Sequence, residues 1–397
     1  MKTDLRQALN DLPPLAAPAS AEVFCKICGS PANLFDSVDF NKHCSPSSPY
    51  AFGFSGISIG YHRCDYCEFI FSSAMDDWSN QDFSQYIYNR DYILVDPEYV
   101  EIRPLRDAEY VMALLEPNTP LALLDYGSGS GTLARQLVRF GVDAESYDPF
   151  SSPVRPQRLF DVITCFEVLE HAVSPHETMA DIASMLAPGG CIIFGTSIQP
   201  PDIAEQKTHW WYIAPRNGHI SIHSWRSLRE LGHHAGFMLF DGSGGRAFAR
   251  SQPKPEVARI LAKVGKPHAL VRLAAPLSEE TSRDSDNGWH GLEDSFRWTK
   301  VPEVAWSLTL PDPSPSQVTF QIPVEHEISA GFALACALSF QGQALRLSRV
   351  GRYLEAVAET AIGGLAVVKL RTPPPLRPCD IMTSSDSRSL GVAIAIE

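Results

Sequence analysis

The sequence is poor in positive charge and contains no long apolar run. Among its 397 residues, Lys and Arg number 33 while Asp and Glu number 46, so the formal net charge is -13. A field of this sign repels phosphate backbones and anionic lipid surfaces, which disfavours nucleic acids and membrane surfaces as partners. No stretch approaches the roughly 20 consecutive apolar residues that a membrane-spanning helix needs. We therefore expect a cytoplasmic protein.

The N-terminal residues also lack the apolar core of a secretory signal. Three prolines, at positions 13, 14 and 18, interrupt the little apolar character that is present. We expect residues 1–22 to form a loosely ordered leader.

The cysteines do not suit a disulfide framework. They number nine, and five of them are scattered singly: Cys44, Cys165, Cys191, Cys336 and Cys379. The other four form two pairs with two-residue spacing: Cys25 with Cys28, and Cys64 with Cys67. One tight turn with this spacing presents two thiolates to the same tetrahedral Zn²⁺, and two such turns complete a closed, structural shell.

The paired cysteines therefore predict a structural zinc site in a module that spans residues 23–95. The 35 residues between the pairs must form an excursion, in which His43 and Cys44 are rival ligands. Buried free thiols are the alternative interpretation. A redox dithiol is disfavoured because neither pair opens a helix after a strand.

A glycine-rich loop follows an apolar strand in the central region. Residues 121–131 read LALLDYGSGSG, and a helix is predicted over Thr132–Phe140. Glycine lets the backbone approach a ligand closely, and a helix N-terminus supplies free N–H groups. A dinucleotide fingerprint has its third glycine three residues after the second. Here it comes two residues after, as in loops that bind S-adenosylmethionine, although a purely structural turn is the alternative.

Two further strands end in acidic residues. Asp148 ends a strand that begins near Ala144, where a carboxylate can accept hydrogen bonds from both ribose hydroxyls; a surface Asp is the alternative. The run FDVITCFEVLEH at 160–171 predicts a buried strand that delivers Phe166 and Glu167 to the crevice at the sheet edge. Ser174 then predicts a helix start with a capping box, and Gly190 its end before a strand over 191–196. The succession predicts a doubly wound sheet within residues 96–250.

Residues 121–240 resemble class I S-adenosylmethionine-dependent methyltransferases motif by motif. The glycine loop, the ribose acid, FDVITCFEVLEH and LAPGG occur in the expected order. Only about a dozen residues separate Asp148 from Asp161, so the usual third strand is expected to be curtailed. The resemblance implies that the methionine part is contacted by Asp125, Gly127, Gly129 and Gly131. It also implies that Asp148 contacts the ribose and that Phe166 and Glu167 flank the sulfonium.

The segment after residue 197 should carry the acceptor site, because it crosses the carboxyl edge of the sheet before a helix begins at Ser224. It contains His209, Trp210, Trp211, Tyr212, Arg216, Asn217, His219 and His223. A histidine near neutrality can take a proton from a hydroxyl or an activated carbon, so His219 and His223 are candidate bases. For each of these residues, packing is the alternative role, and His171 is expected to brace its own loop.

The stretch GHISIHSW is similar to an EHxxYFS motif of sugar C-methyltransferases, which also carry an N-terminal four-cysteine zinc module. Gly218 replaces the motif's glutamate, and His223 falls in its aromatic position. The resemblance therefore carries His219 over as a base but does not carry over a Glu–His dyad. O-methylation and C-methylation both remain open.

The C-terminal part changes to short β-type runs with Pro, Gly and Ser between them. We expect a helical linker over residues 251–284 and an antiparallel β-sandwich over 285–397. The stretches around Trp289, Trp298 and Leu390 resemble a small sandwich domain that accompanies proteins of bacterial surface-polysaccharide assembly. A glycan-binding module and an oligomerisation unit are equally supported.

Together these patterns predict an α/β protein: a Rossmann-like doubly wound sheet with a small N-terminal zinc module and a C-terminal antiparallel β-sandwich. The expected activity is S-adenosylmethionine-dependent methylation of a sugar, a nucleotide-linked sugar or a surface glycan. A second copy of the chain and glycan-assembly enzymes are candidate partners. An RNA or protein methyltransferase and an inert glycan-binding or cofactor-sensing subunit are the alternatives.

Overall fold

The computed structural model describes residues 15, 23–117, 119–151, 154–275, 289, 296–299, 303–310, 315–327, 331–359, 364–373, 390 and 392–395. The chain divides into two compact units, Met1–Lys266 and Pro267–Glu397. Apart from Leu15, the predicted leader lies outside the described residues, as does the boundary predicted near 285. Among the described residues, no helix combines the length and apolarity that a membrane crossing requires.

The helices of the first unit present apolar faces to its sheets. In the described residues they are α1 (Asn80–Tyr86), α2 (Tyr92–Val95), α3 (Ile102–Leu114), α4 (Thr132–Arg139), α5 (Pro175–Ser184), α6 (Ile203–Gln206), α7 (Trp225–His234) and α8 (Pro255–Val264). The apolar stripe predicted for the last of these is confirmed, because Val257, Ile260, Leu261 and Val264 are all buried.

The strands of the first unit form two sheets. They are β1 (Val23–Phe24), β2 (Pro31–Asp39), β3 (Ser58–Cys64), β4 (Ile70–Phe71), β5 (Ala122–Tyr126), β6 (Asp143–Tyr147), β7 (Phe160–Phe166), β8 (Leu186–Gly195), β9 (Ser221–Ile222), β10 (Met238–Gly242) and β11 (Gly245–Ala249). One sheet has the order β1-β2-β3-β4-β9, and the other runs β10-β11-β8-β7-β5-β6.

The second of these sheets is the central, Rossmann-like one. Strands β6, β5, β7 and β8 pair in parallel, whereas β11 is antiparallel to both β8 and β10. β5 has β6 on one side and β7 on the other, so the strand order reverses there. Ligands of open α/β sheets bind at the carboxyl ends of the strands that flank such a reversal.

In the part of the chain that the structure describes, no further parallel strand lies beyond β6. Among the described residues between Tyr147 and Phe160 there is neither a helix nor a regular strand, and β6 is the edge of the sheet. This agrees with the short spacing between Asp148 and Asp161.

The predicted boundaries between residues 174 and 196 were partly wrong. Ser174 precedes a helix with Pro175 at its first position, but its side chain makes no capping bond; its carbonyl accepts from Thr178 N instead. The helix ends at Ser184, and β8 already begins at Leu186. Gly190 lies within this strand. Glycine is required there because a Cβ would lie 2.7 Å from the Asp161 carbonyl oxygen.

The strands of the second unit also form two sheets. They are β12 (Lys266–Arg272), β13 (Phe296–Trp298), β14 (Glu303–Leu310), β15 (Gln317–Glu327), β16 (Ala337–Phe340), β17 (Gln343–Leu345), β18 (Ser348–Val350), β19 (Tyr353–Glu359), β20 (Gly364–Arg371) and β21 (Val392–Ala395). One sheet has the order β14-β20-β16-β17. In the other, β15 pairs with β12, β19 and β21, while β13 pairs with β21 and β18 pairs with β19. The predicted β-type runs contain strands, but Ala333–Ala335 at the start of one run form a 3-10 turn. In addition, β12 runs parallel to β15, unlike the expected all-antiparallel arrangement.

Candidate active site

The four paired cysteines meet at one point. Their sulfur atoms all lie within 4.8 Å of one another, with Cys25 and Cys67 Sγ 3.4 Å apart and Cys28 and Cys64 Sγ also 3.4 Å apart. The turns donate main-chain N–H groups to the sulfurs, as from Ile27 to Cys25 at 3.4 Å. A closed set of four thiolates with such donors fits the coordination of a structural Zn²⁺.

The two rival ligands lie outside this cluster. Cys44 Sγ is 3.4 Å from His219 Nδ1, on the acceptor side of the unit. The His43 ring packs against Phe52 with their centroids 5.0 Å apart. The excursion between the cysteine pairs therefore reaches towards the segment that contains the candidate bases.

The cysteine-bearing sheet includes a strand from that segment. β4 pairs with β9, so Ile70 and Phe71 face Ile222 and Ser221. Tyr61 of β3 donates from its hydroxyl to the His219 carbonyl oxygen at 2.7 Å. The position of His219 thus depends directly on the sheet β1-β2-β3-β4-β9, which contains the two cysteine turns.

Lys42 forms a second connection between residues 29–63, which separate the cysteine pairs, and the segment after residue 197, where the acceptor site is predicted. Its buried ammonium donates to three carbonyl oxygens, those of Thr208 at 2.5 Å, Trp210 at 2.7 Å and Ile213 at 2.7 Å. A buried carbonyl without a partner costs about 1–3 kcal/mol, so this lysine fixes the path of residues 208–213.

Replacing Lys42 by methionine should loosen this segment without touching the cofactor side. We expect the KM for the acceptor to rise by about tenfold or more, since the Lys42→Met side chain cannot donate to any of the three carbonyls. The Kd for S-adenosylmethionine should stay unchanged. Steady-state kinetics and calorimetry measure the two quantities, and Lys207→Met on the same segment is the matched control. An unchanged KM would show that the carbonyl contacts do not position the acceptor segment.

Asp148 lies where the sequence predicts the ribose acid, directly beneath the glycine loop. Its Oδ2 accepts from Gly129 N at 2.8 Å, while its Oδ1 accepts from Phe150 N and Ser151 N, each at 2.8 Å. The carboxylate therefore holds the loop and its own turn in place. Each carboxylate oxygen can accept more than one hydrogen bond, so these contacts leave capacity for hydroxyl donors.

Each glycine of the loop occupies its position for a different structural reason. Gly127 has a φ of +73°, and a Cβ there would lie 2.4 Å from Val168 Cγ2. Gly131 has a φ of +70° and precedes the first residue of α4. At Gly129, which has a φ of +50°, a Cβ would meet nothing within 4 Å. The backbone at this central glycine is thus open to a ligand.

Asp125 ends the strand before the loop and is fully buried. Thr164 donates to its Oδ1 at 3.0 Å. Removal from water raises the pKa of the Asp125 carboxyl from 3.8 to about 7, because burial penalises the charged form. A cationic group bound beside it would lower this pKa again.

Phe166 and Glu167 lie at the carboxyl end of β7, as predicted. Glu167 has a φ of +52°, a left-handed conformation that is costly for a non-glycine residue and is concentrated at functional sites. Burial and the nearby Glu170 raise the pKa of the Glu167 carboxyl to about 8, against the opposing effect of Arg103. The Arg103 guanidinium lies 3.9 Å from Glu167 and forms a two-bond pair with Asp96 at 2.8 and 3.0 Å.

Sequence reasoning missed this Asp96–Arg103 pair. Both residues belong to the stretch before the glycine loop, and no motif marks them. The only signal was their position at the start of the predicted domain. The structure brings them to the carboxyl ends of the strands through α2 and α3.

Glu170, His171 and His219 form a buried polar cluster beside Glu167. Tyr212 donates from its hydroxyl to Glu170 Oε1. His171 Nδ1 lies 3.0 Å from the Gly218 carbonyl oxygen, so His171 contacts the segment after residue 197, and its ring lies 4.9 Å from that of His219. Burial raises the pKa of Glu170 and lowers the pKa of His219 well below its ordinary value.

Gly218 explains why the glutamate of the similar motif is absent. Its φ is +83°, and a Cβ there would lie 2.8 Å from the Tyr88 hydroxyl and 3.2 Å from His171 Nδ1. A glutamate at this position would be strained and would displace the neighbouring ring.

His223 has different surroundings from His219. Its Nδ1 is 3.3 Å from Ser227 Oγ, its Nε2 is 3.4 Å from the Leu169 carbonyl oxygen, and its ring packs against Phe69. Burial lowers the pKa of His223 to about 4. Both ring nitrogens are therefore engaged by the protein.

The remaining polar and aromatic candidates of the segment are mostly packed. Trp210 and Tyr212 are buried in the core of the cysteine-bearing sheet, whereas Trp211 is 40% exposed. Arg216 Nη1 donates to the Ile87 carbonyl oxygen at 3.4 Å, and Asn217 accepts from Cys44 N at 2.9 Å. Trp211 and the exposed His209 are therefore the candidates that present their side chains to solvent.

Comparison with known proteins agrees with this geometry. Residues 99–240 match the family model described as a methyltransferase domain. They form a class I S-adenosylmethionine-dependent methyltransferase domain. The methyltransferase domain contains the glycine loop, Asp148, Glu167 and both candidate bases, while the paired cysteines and Asp96 precede it.

The curated relatives match about a quarter of this chain. A ubiquinone biosynthesis O-methyltransferase of Xanthomonas axonopodis pv. citri (strain 306) is 30% identical over 126 residues, 25% of this chain and 52% of its own. The enzyme of the same name from Pectobacterium carotovorum subsp. carotovorum (strain PC1) is 29% identical over 121 residues, 24% of this chain and 50% of its own. The chain thus spans about half the length of the curated relatives it matches. An O-methyltransferase family protein from Burkholderia thailandensis is structurally similar over 40% of this chain and 59% of its own, at 15% identity and a TM-score of 0.30.

Proposed function

We propose that the protein transfers a methyl group from S-adenosylmethionine to a sugar, a nucleotide-linked sugar or a surface glycan. The observation that supports this most is the convergence of three features at the carboxyl ends of β5, β6 and β7. These features are the glycine loop, Asp148 and the acidic segment from Glu167 to His171. The domain match supports the donor, and the chemistry of the buried cluster supports the acceptor.

On the donor side, Asp148 would accept hydrogen bonds from the ribose hydroxyls. The loop glycines with Asp125 would hold the methionine part, because the open backbone at Gly129 gives a ligand close access. Phe166 and Glu167 would flank the sulfonium, whose positive charge the carboxylate attracts. Such a charge would also favour the ionised forms of Asp125 and Glu167.

On the acceptor side, the charges favour a neutral hydroxyl-rich group. Three carboxylates, Asp96, Glu167 and Glu170, lie around one cation, Arg103, which already pairs with Asp96. Carboxylates accept hydrogen bonds from sugar hydroxyls, whereas they repel phosphates. The phosphates of a nucleotide-linked sugar, or of RNA, would therefore have to lie away from this cluster.

The chemical step requires alignment of the acceptor oxygen with the methyl group and the loss of one proton from the acceptor hydroxyl. The acceptor oxygen forms a bond to the methyl carbon, while the bond from that carbon to sulfur breaks and its electron pair stays on sulfur. We propose that His219 promotes loss of the hydroxyl proton. Its Nδ1 lies 2.8 Å from the Tyr212 carbonyl oxygen and so carries the hydrogen, which leaves the lone pair on Nε2. His223, with both nitrogens engaged, would instead be a packing residue.

The test compares His219→Ala with His223→Ala on a panel of nucleotide sugars and glycans, using labelled S-adenosylmethionine. We expect His219→Ala to lose about 100-fold or more in turnover, a typical contribution of proton transfer, with unchanged cofactor affinity. His223→Ala should unfold at a lower temperature yet retain turnover within a few-fold below that temperature. Full turnover in His219→Ala would remove this assignment, and failure of the folded wild-type protein to bind S-adenosylmethionine would overturn the proposed function.

The other parts of the chain are assigned by the same proposal. Residues 23–95 would be a zinc-binding module on Cys25, Cys28, Cys64 and Cys67 that shapes the acceptor side, next to a catalytic domain at 96–250. Residues 285–397 would be a β-sandwich that binds glycan or mediates self-association. The linker predicted over residues 251–284 instead contains α8 and β12, and β12 pairs with β15 of the second unit. A cytoplasmic location suits the reduced thiols.

A further inference from the structure

The buried cluster of Glu170, His171 and His219 has the composition of a metal site as well as of an acid–base site. Each residue offers one ligand atom, and these three atoms all lie within 4.8 Å of one another. Glu170 and His219 are buried, and the loops that carry them meet through Tyr212 and Gly218. Bound ions require such convergence of nitrogen and oxygen donors.

Each of the two histidines makes a hydrogen bond through one ring nitrogen to a main-chain carbonyl oxygen, as metal-binding histidines usually do. His171 places Nδ1 at 3.0 Å from the Gly218 carbonyl oxygen, and His219 places Nδ1 at 2.8 Å from that of Tyr212. A carbonyl oxygen only accepts, so both Nδ1 atoms carry hydrogen and both Nε2 atoms carry lone pairs. Hydrogen bonds from the opposite ring nitrogen to a carbonyl fix the orientation and raise the basicity of ligating imidazoles.

The carboxylate supplies an independent observation. Glu170 is fully buried, and its Oε1 accepts from the Tyr212 hydroxyl. Its Oε2 is also buried and has no partner at normal hydrogen-bond geometry among the described residues, although the Thr196 side chain lies near the carboxyl group. A buried carboxylate oxygen without a partner is costly, and a cation would compensate it.

We propose that Glu170, His171 and His219 together bind a divalent first-row transition-metal ion on the acceptor side of the methyltransferase domain. Three protein ligands leave coordination positions open, in contrast to the closed shell of the four cysteines. The two sites also differ in chemistry, because imidazole and carboxylate accept Mn²⁺ or Fe²⁺ as well as Zn²⁺, whereas a set of four thiolates disfavours Mn²⁺.

The role of the ion rests on the proposed methyl transfer, whereas its binding does not. A sugar with adjacent hydroxyls could occupy two open positions at once, and a metal ion lowers the pKa of a bound hydroxyl. The bound O–H would release its proton to water as the oxygen bonds to the methyl carbon and the carbon–sulfur bond breaks. His219 would then act on the acceptor through the ion, as its ligand, and the substrate class would be a vicinal diol.

Mn²⁺ is the probe that separates this site from the cysteine cluster. Titration of the full-length, zinc-loaded protein with Mn²⁺, followed by electron paramagnetic resonance of the free ion, should show one bound Mn²⁺ per chain. Glu170→Gln and His219→Ala should each weaken this binding by about tenfold or more. His209→Ala, which removes an exposed histidine from the same segment, should leave it unchanged. Zinc content and S-adenosylmethionine affinity, measured in every variant, show whether the rest of the unit is intact.

The outcomes are distinct. Loss of Mn²⁺ binding in the two cluster variants, with zinc and cofactor binding preserved, supports the ion site. Absence of Mn²⁺ binding at millimolar concentration in a wild-type protein that binds S-adenosylmethionine overturns the ion site but leaves the proposed function standing. Mn²⁺ binding that persists in both variants also overturns it, since the ion then lies elsewhere. Lack of cofactor binding contradicts the proposed function alone.

Discussion

Replacement of Cys25 and Cys64 by serine is expected to release zinc and reduce methyl transfer to background. The pair of Cys25→Ser and Cys64→Ser removes one ligand from each turn, and a structural Zn²⁺ contributes about 10–16 kcal/mol to the folding of small zinc modules. The cysteine turns close the sheet that continues through β4 into β9, next to His219. Loss of the metal should therefore disorder the acceptor side before the donor side.

Elemental analysis, hydrogen exchange and turnover assays measure this result. Exchange should rise at residues 58–72 and 219–223, while S-adenosylmethionine should still bind, because the glycine loop and Asp148 belong to the central sheet. Cys336→Ser is the matched control, since this buried thiol of the second unit is remote in sequence from the cluster. A zinc-free wild-type protein with full turnover would contradict the structural role of zinc.

Asp148→Ala is expected to weaken S-adenosylmethionine binding by about 100-fold or more. The substitution removes the proposed ribose acceptor and leaves the N–H groups of Gly129, Phe150 and Ser151 without their partner. A hydrogen bond to a charged group contributes about 1.5–3 kcal/mol, and a loss near 2.8 kcal/mol already corresponds to 100-fold in affinity. The glycine loop should also become mobile, so the effect exceeds the loss of a single ligand contact.

Calorimetric titration with S-adenosylmethionine and S-adenosylhomocysteine measures this change. Asp143→Ala is the control, because Asp143 begins the same strand but is exposed and pairs with Arg158 at 2.6 and 2.7 Å. It should bind both compounds as the wild type does. Equal affinities in the two variants would show that Asp148 serves the loop's structure alone.

Short-range patterns predicted the positions of the glycine loop and of the residues at the strand ends. The loop glycines, Asp148 and Phe166 lie where strand ends and glycine spacing indicate, because strand, turn and helix succeed one another within a few residues. The same reasoning failed at residues 185–190, where the pairing of β7 with β8 overrides the helix-stopping tendency of glycine.

Long-range contacts determine the acceptor side and leave little local signal. Lys42 and Arg103 meet Thr208 and Glu167, respectively, only through the fold. His219 and His223 look equivalent in sequence, yet the first faces the Glu170 cluster and the second faces α7. Two-residue strands such as β9 are too short for periodicity to reveal.

The pairing of β4 with β9 also has a consequence for the order of folding. In a chain synthesised from its N-terminus, residues 70 and 71 emerge on the order of 150 residues before their partners at 221 and 222. One edge of the cysteine-bearing sheet therefore stays unpaired while about 150 residues are synthesised, and unpaired edges invite association with other chains. The zinc turns would hold this first segment in a folding-competent form while the ribosome completes the domain that it joins.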